Sequence, residues 1–218
     1  MSEGERHARR LTEMAWILTV LLGASILGQR VAVLPVVALE DVAARKEWLA
    51  GFPVGWTLSW GGWMLCSFAF LGLFLFLRAV ARDARLGGAL WAAAAAIVIG
   101  LVGRVLLAGG LSLAATLEDP DRFAVIERVL WMVELIPTRI LQATALFLAC
   151  RELQRVDRID HRVTVLAGLY CAVAVGMAWF ATTADPSAAS PLVAPESGLL
   201  VAWALSVQQQ VRERRGSG

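Results

Sequence analysis

Histidine, lysine and cysteine are nearly missing from this chain, and each scarcity closes off a kind of chemistry. The two histidines, His7 and His161, both sit near the ends of apolar runs. A bis-histidine haem would need histidines in the middle of such runs, and a histidine metal cluster would need more than two. No metal site and no cofactor is therefore assigned, and His161 reads as a loop residue that opens a helix. Lys46 is the only lysine; the other 19 of the 20 basic residues are arginine. Alongside abundant Ala, Gly, Val and Leu, this bias fits the codon usage of a GC-rich bacterial genome. The cysteines are Cys66, Cys150 and Cys171, an odd number, each within or at the end of an apolar run. A disulfide framework is not expected from them; they read as small hydrophobes. The sequence also lacks a P-loop, a G-x-S-x-G elbow and an H-E-x-x-H motif. Without a nucleophile–base pair or metal ligands, the reading leans away from an enzyme. The net charge of +2 is too small to inform by its size, and no nucleic-acid partner is expected.

What is abundant is apolar. The hydrophobic share is 58%, against about 45–50% in a soluble domain, and the mean hydropathy is +0.66. Six runs approach the roughly 20 helical residues needed to cross a hydrocarbon core: 11–34, 54–77, 88–117, 123–150, 163–184 and 190–211. The N-terminal basic residues followed by an apolar run resemble a signal peptide, but no small-residue cleavage pattern follows, so this run reads as an uncleaved first span. The last run has a short apolar part, 198–207, followed by Gln208, Gln209 and Gln210. The expected fold is a single all-α domain, a polytopic transmembrane helical bundle of six spans, with the lipid bilayer as its first partner.

Orientation follows from the arginines. With the N-terminus inside, inner segments hold 13 basic residues and outer segments hold 4. Each inner segment shows the bias on its own, so the positive-inside rule places both termini in the cytoplasm, as expected of a bacterial cytoplasmic (inner) membrane protein. The largest outer loop, 35–53, carries Leu39, Val42 and Leu49 on one helical face. It predicts a short helix lying on the outer interface with Trp48 at headgroup level. The outer stretch 185–197, rich in Pro, Ser and Ala, reads as irregular, and the inner stretch 151–162 as a solvated helical extension.

The residues most able to carry chemistry are charges at membrane depth, which cost about 2.5–3.5 kcal/mol at the bilayer centre on the gentlest scale. Arg104 lies 16 residues into the third run and Glu134 lies 16 residues before the end of the fourth. At 1.5 Å per residue both are about 24 Å from the inner boundary. The loop between these runs is short, so spacing alone predicts an Arg104–Glu134 pair. Ala92, Ala96 and Gly100 continue the Arg104 row with small residues that permit close helix approach. Glu127, Trp131, Glu134 and Thr138 share one stripe of the fourth run, and Arg128 and Arg139 share a neighbouring face. Pro137 should kink this helix and free the carbonyl of Val133. Charges flanking such a kink can build an intramembrane ligand or ion site or simply hold a packed bundle together. The candidate site is therefore Arg104, Glu127, Glu134, Thr138 and Arg139 around Pro137. These runs carry one more arginine than glutamate, and Arg139 is the residue left over. It would need a carbonyl, water, a residue such as Gln208, or an anionic ligand.

A second cluster, Trp56, Trp60 and Trp63, falls on one helical face at the outer end of the second run. An interfacial aromatic belt and an aromatic wall for a cationic or polycyclic ligand both fit it. The extended outer segment after span one, Trp131 with Pro137 and Leu141 in span four, the basic turn, and Val165-Leu166-Ala167-Gly168 resemble a group of bacterial six-span membrane proteins known as a domain of unknown function. The resemblance covers about half of the chain, implies the six-span topology and implies no activity. Three functions remain open: a small carrier or channel for a proton, ion or small metabolite; a structural or accessory subunit whose charges only hold the bundle; and a membrane-embedded enzyme.

Overall fold

The computed structural model describes residues 2–32, 41–183 and 190–214. Among them, all regular structure is helical: α1 (Glu3–Ala32), α2 (Val42–Gly51), α3 (Pro53–Val80), α4 (Gly87–Ala114), α5 (Pro120–Arg155), α6 (His161–Thr183) and α7 (Ser190–Glu213). Five of them, α1 and α3 to α6, contain stretches long and apolar enough to cross a membrane. α7 is as long but carries Glu196, Ser197 and three consecutive glutamines, and is not among the five. The expectations that touch Leu39, residues 33–34, residues 185–189 and Arg215 lie outside the described residues.

Local sequence explains the helix ends. Asp119 caps α5 by accepting from the Asp121 amide at 2.9 Å, with Pro120 in the first turn, where its missing N–H removes nothing. Asp160 caps α6 by accepting from the Arg162 and Val163 amides at 2.9 and 3.3 Å. At the end of α5, Asp157 takes a positive φ of 54°. Its amide reaches the Gln154 carbonyl and the Arg158 amide reaches that of Leu153, the paired bonds of a Schellman stop. Aspartate is among the few residues besides glycine that tolerate this conformation. Through Pro137, α5 continues as helix.

Two elements differ from the sequence reading. Residues 190–197 are helical, although their Pro, Ser and Ala content suggested an irregular loop. Pro191 lies in the first turn, where a missing donor costs no intrahelical bond. The aromatic-belt reading also fails. Trp56, Trp60 and Trp63 are 1%, 3% and 4% exposed and face inward.

The six long helices form a closed ring. α1 packs on α3, α3 on α4, α4 on α5, α5 on α6, α6 on α7, and α7 returns to α1. At one end, polar contacts tie four parts of the chain together: Arg82 to Glu3 at 3.5 Å, Arg158 to Asp83 at 3.0 Å, the Asp160 amide to Gln210 at 2.8 Å, and Arg214 to Asp157. The start of α1, the α3–α4 turn, the α5–α6 turn and the end of α7 therefore share that end. The opposite end holds α2, whose Lys46 donates to the Glu118 carbonyl in the α4–α5 turn at 3.2 Å. Around the outside, large apolar side chains such as Trp16, Leu58, Trp91, Leu113, Phe147 and Trp179 are more than half exposed. Water would penalise so much contiguous apolar surface; a hydrocarbon surround would not.

Candidate functional site

α4 and α5 meet closely because glycine faces the contact. A Cβ on Gly103 would lie 2.9 Å from the Glu134 Cα, and one on Gly100 would lie 3.0 Å from the Thr138 side chain. This approach brings Arg104 onto Glu134, Nε to Oε1 at 3.2 Å, with both side chains 2% exposed. Arg104 Nη1 also donates to the Trp63 carbonyl of α3 at 2.7 Å and to the Ser67 hydroxyl. The guanidinium thus joins three helices, and Arg104 meets the glutamate that residue counting set opposite it.

Arg139 finds its counter-charge in a place the sequence reading did not consider. Its Nε lies 3.0 Å from Glu196 Oε1 of α7, with side chains 8% and 3% exposed. Its Nη1 donates to Gln142 Oε1 at 2.8 Å, which also accepts from the Tyr170 hydroxyl at 3.1 Å. The Arg139–Glu196 contact is ionic but poorly aligned, so neither Nε nor Oε1 completes a hydrogen bond. Gln208, the partner considered from sequence, instead donates to Thr12 of α1 at 3.2 Å.

Between the two arginines lies a small cavity, with about 20 Å³ open to the centre of a water molecule. About 10–15 Å³ of that measure holds one water. All six long helices contribute to its wall, among them Leu18, Ser67, Arg104, Arg139, Tyr170 and Glu196. Ser197 also lines it, and the Ser197 hydroxyl, like Arg139 Nε and Glu196 Oε1, is buried without a hydrogen-bond partner. The Thr138 hydroxyl, under Gly100, is likewise unpartnered. An unmet buried polar group costs about 1–3 kcal/mol, and a water in this cavity has several such groups to satisfy.

Glu127 does not join this centre. It lies seven residues before Glu134, about 10 Å further along the helix, and pairs with Arg45 of α2 at 3.0 Å. Both side chains of that pair are at most 5% exposed. Between the two levels, Trp56 packs edge-on against Trp60, and Trp60 against Trp131, each at 5.6 Å. Arg128 points outward and donates to the Thr182 carbonyl of α6 at 2.7 Å.

Of the candidate residues, Arg104, Glu134, Thr138 and Arg139 come together near Pro137, with Trp63 beside them, and Glu127, Trp56 and Trp60 lie in a separate layer toward α2. The residues missed were Glu196, Tyr170, Gln142 and Arg45. Arg45 was legible in principle, because it falls on the α2 face of Val42 and Leu49. Glu196 was not, because its segment looked like a loop. Compared with family models, curated proteins and solved structures, this chain matches none.

Proposed function

We propose that this protein is a small membrane carrier or channel for a proton, and that the Arg139–Glu196 centre is its occluded site. The observation that carries this reading is the central cavity, walled by all six long helices and faced by polar groups that lack partners. Its size suits a water and not a metabolite. A proton needs only a carboxylate and a chain of hydrogen-bonding groups, and Glu196, one water, Tyr170 and Gln142 supply these. Protonating Glu196 cancels the charge that holds it to Arg139, which couples proton occupancy to the ion pair that links α7 to α5. Buried ionisable groups in membrane helices commonly mark such relays.

The reading includes α7 as a sixth span and places both termini in the cytoplasm of a bacterial inner membrane. The arginine bias supports it, as does the gathering of both termini and the two basic turns at one end of the ring. The topology implied by the sequence resemblance agrees.

A second reading has its own support. Among the described residues the three buried arginines, Arg45, Arg104 and Arg139, match three buried glutamates one to one. An accessory subunit held in register by ion pairs would look the same. Reconstituted vesicles containing a pH-sensitive dye separate the two. A carrier dissipates an imposed proton gradient faster than protein-free vesicles, and Glu196→Gln returns the rate to background. A wild-type rate equal to that of empty vesicles leaves the structural reading.

A further inference from the structure

The seam between α5 and α6 opens outward near the basic end of the bundle into a groove of about 540 Å³. Its character changes along its length. Arg151, Arg155 and Thr164 line one end, and Phe147 and Cys171 line the other. From Arg155 to Phe147 is eight residues of helix, about 12 Å. The α6 wall runs antiparallel. Thr164 donates to Gln154 at 3.4 Å, and Cys171, one end further along, lies 3.5 Å from the Ala143 carbonyl. Gly168 forms an opening in that wall, because a Cβ there would meet nothing within 4 Å.

The charge in the groove is only partly matched among the described residues. Arg155 engages Glu152 through Nε at 3.0 Å and is still half exposed. Arg151 makes no ion pair or hydrogen bond among the described residues. At the other end Phe147 is 61% exposed, and Ile140, seven residues back on the same α5 face, and Val175, four residues beyond Cys171 on α6, are exposed as well. A soluble anion would match the arginines and leave this apolar floor unused. An apolar molecule would fill the floor and leave the arginines unmatched.

We propose that the groove is a binding site for an anionic phospholipid. The phosphate sits between Arg151 and Arg155, and an acyl chain lies over Gly168 and Phe147 toward Cys171. The site rests on the membrane orientation given above but not on proton transfer. In that orientation its basic end meets the cytoplasmic leaflet, where anionic lipids are attracted by arginines near the surface.

Native mass spectrometry in mild detergent tests the assignment, with phosphatidylglycerol and phosphatidylcholine offered in equal amounts. Wild-type protein should retain phosphatidylglycerol preferentially. The double variant Arg151→Gln/Arg155→Gln should lose about ten-fold or more in phosphatidylglycerol retention with phosphatidylcholine unchanged. Gly168→Leu should fill the groove and lose the lipid while the lipid-free melting temperature stays at or above wild type, since the new side chain enters open space. Equal retention of both lipids by the wild type overturns the proposal. So does wild-type phosphatidylglycerol retention in either variant, and so does displacement of the lipid by millimolar inorganic phosphate, which would identify a free-phosphate site. Retention in micelles does not depend on orientation or on proton flux, so failure here is distinguishable from failure of either.

Discussion

Replacing Arg104 and Glu134 singly and together tests whether the buried charges work as pairs. Removing one member of a buried pair leaves an uncompensated charge and costs about 3–5 kcal/mol. For a chain of this size that is on the order of 10 °C in melting temperature. The surroundings predict an asymmetry. In Glu134→Gln, Arg104 keeps the Trp63 carbonyl and the Ser67 hydroxyl as acceptors. In Arg104→Met, Glu134 keeps no cation within ion-pair distance among the described residues. The second single variant should therefore melt lower than the first. The double variant should recover most of the loss, because Ser67 still donates to the Trp63 carbonyl at 3.3 Å and no charge remains. Methionine also refills much of the arginine's volume. The expected coupling is therefore at least about 3 kcal/mol, the size of one single loss, read by thermal unfolding of the four proteins in one detergent. Strict additivity of the two single losses would refute the pairing argument, since it would mean each charge is stabilised independently of the other.

Reporter fusions at Arg82 and Arg155 should give a cytoplasmic signal and fusions at Arg45 and Ser187 an exterior one; an exterior signal at Arg155 overturns the topology. Gly103→Val should destabilise by about 1–3 kcal/mol or more, because its Cβ would meet the Glu134 backbone, whereas Gly109→Ala, with nothing within 4 Å, should melt near wild type; equal melting temperatures would contradict the close α4–α5 approach. The Asp160 carboxyl is held below its ordinary range by a side-chain hydrogen bond from Gln210 and by the Val163 and Arg162 amides. A depressed folded-state value stabilises above the unfolded-state value and is lost as pH falls through the folded one, so Asp160→Asn should flatten the loss of stability below about pH 4; an unchanged acid limb would remove this cap from the account.

Apolar runs, arginine placement and residue counting were enough to read an all-helical, membrane-type chain and to set Arg104 level with Glu134. Those properties are local or additive: hydropathy sums along a helix, and depth is residue number times rise. The same arithmetic could not say which face of α3 is buried, so a belt and a ligand wall both fitted the three tryptophans, which pack inward. Nor could it find the partner of Arg139. Pro191 and Pro195 made the segment around Glu196 look irregular, and the loop reading removed from consideration the carboxylate that meets this arginine. Arg45 and Glu127, 82 positions apart, meet only because α2 folds over the end of the ring. Which helix lies beside which, and which charge therefore meets which, depends on the closure of that ring. The closure rests on contacts between residues far apart in the chain, such as Thr12 with Gln208, which no pattern within a single helix encodes.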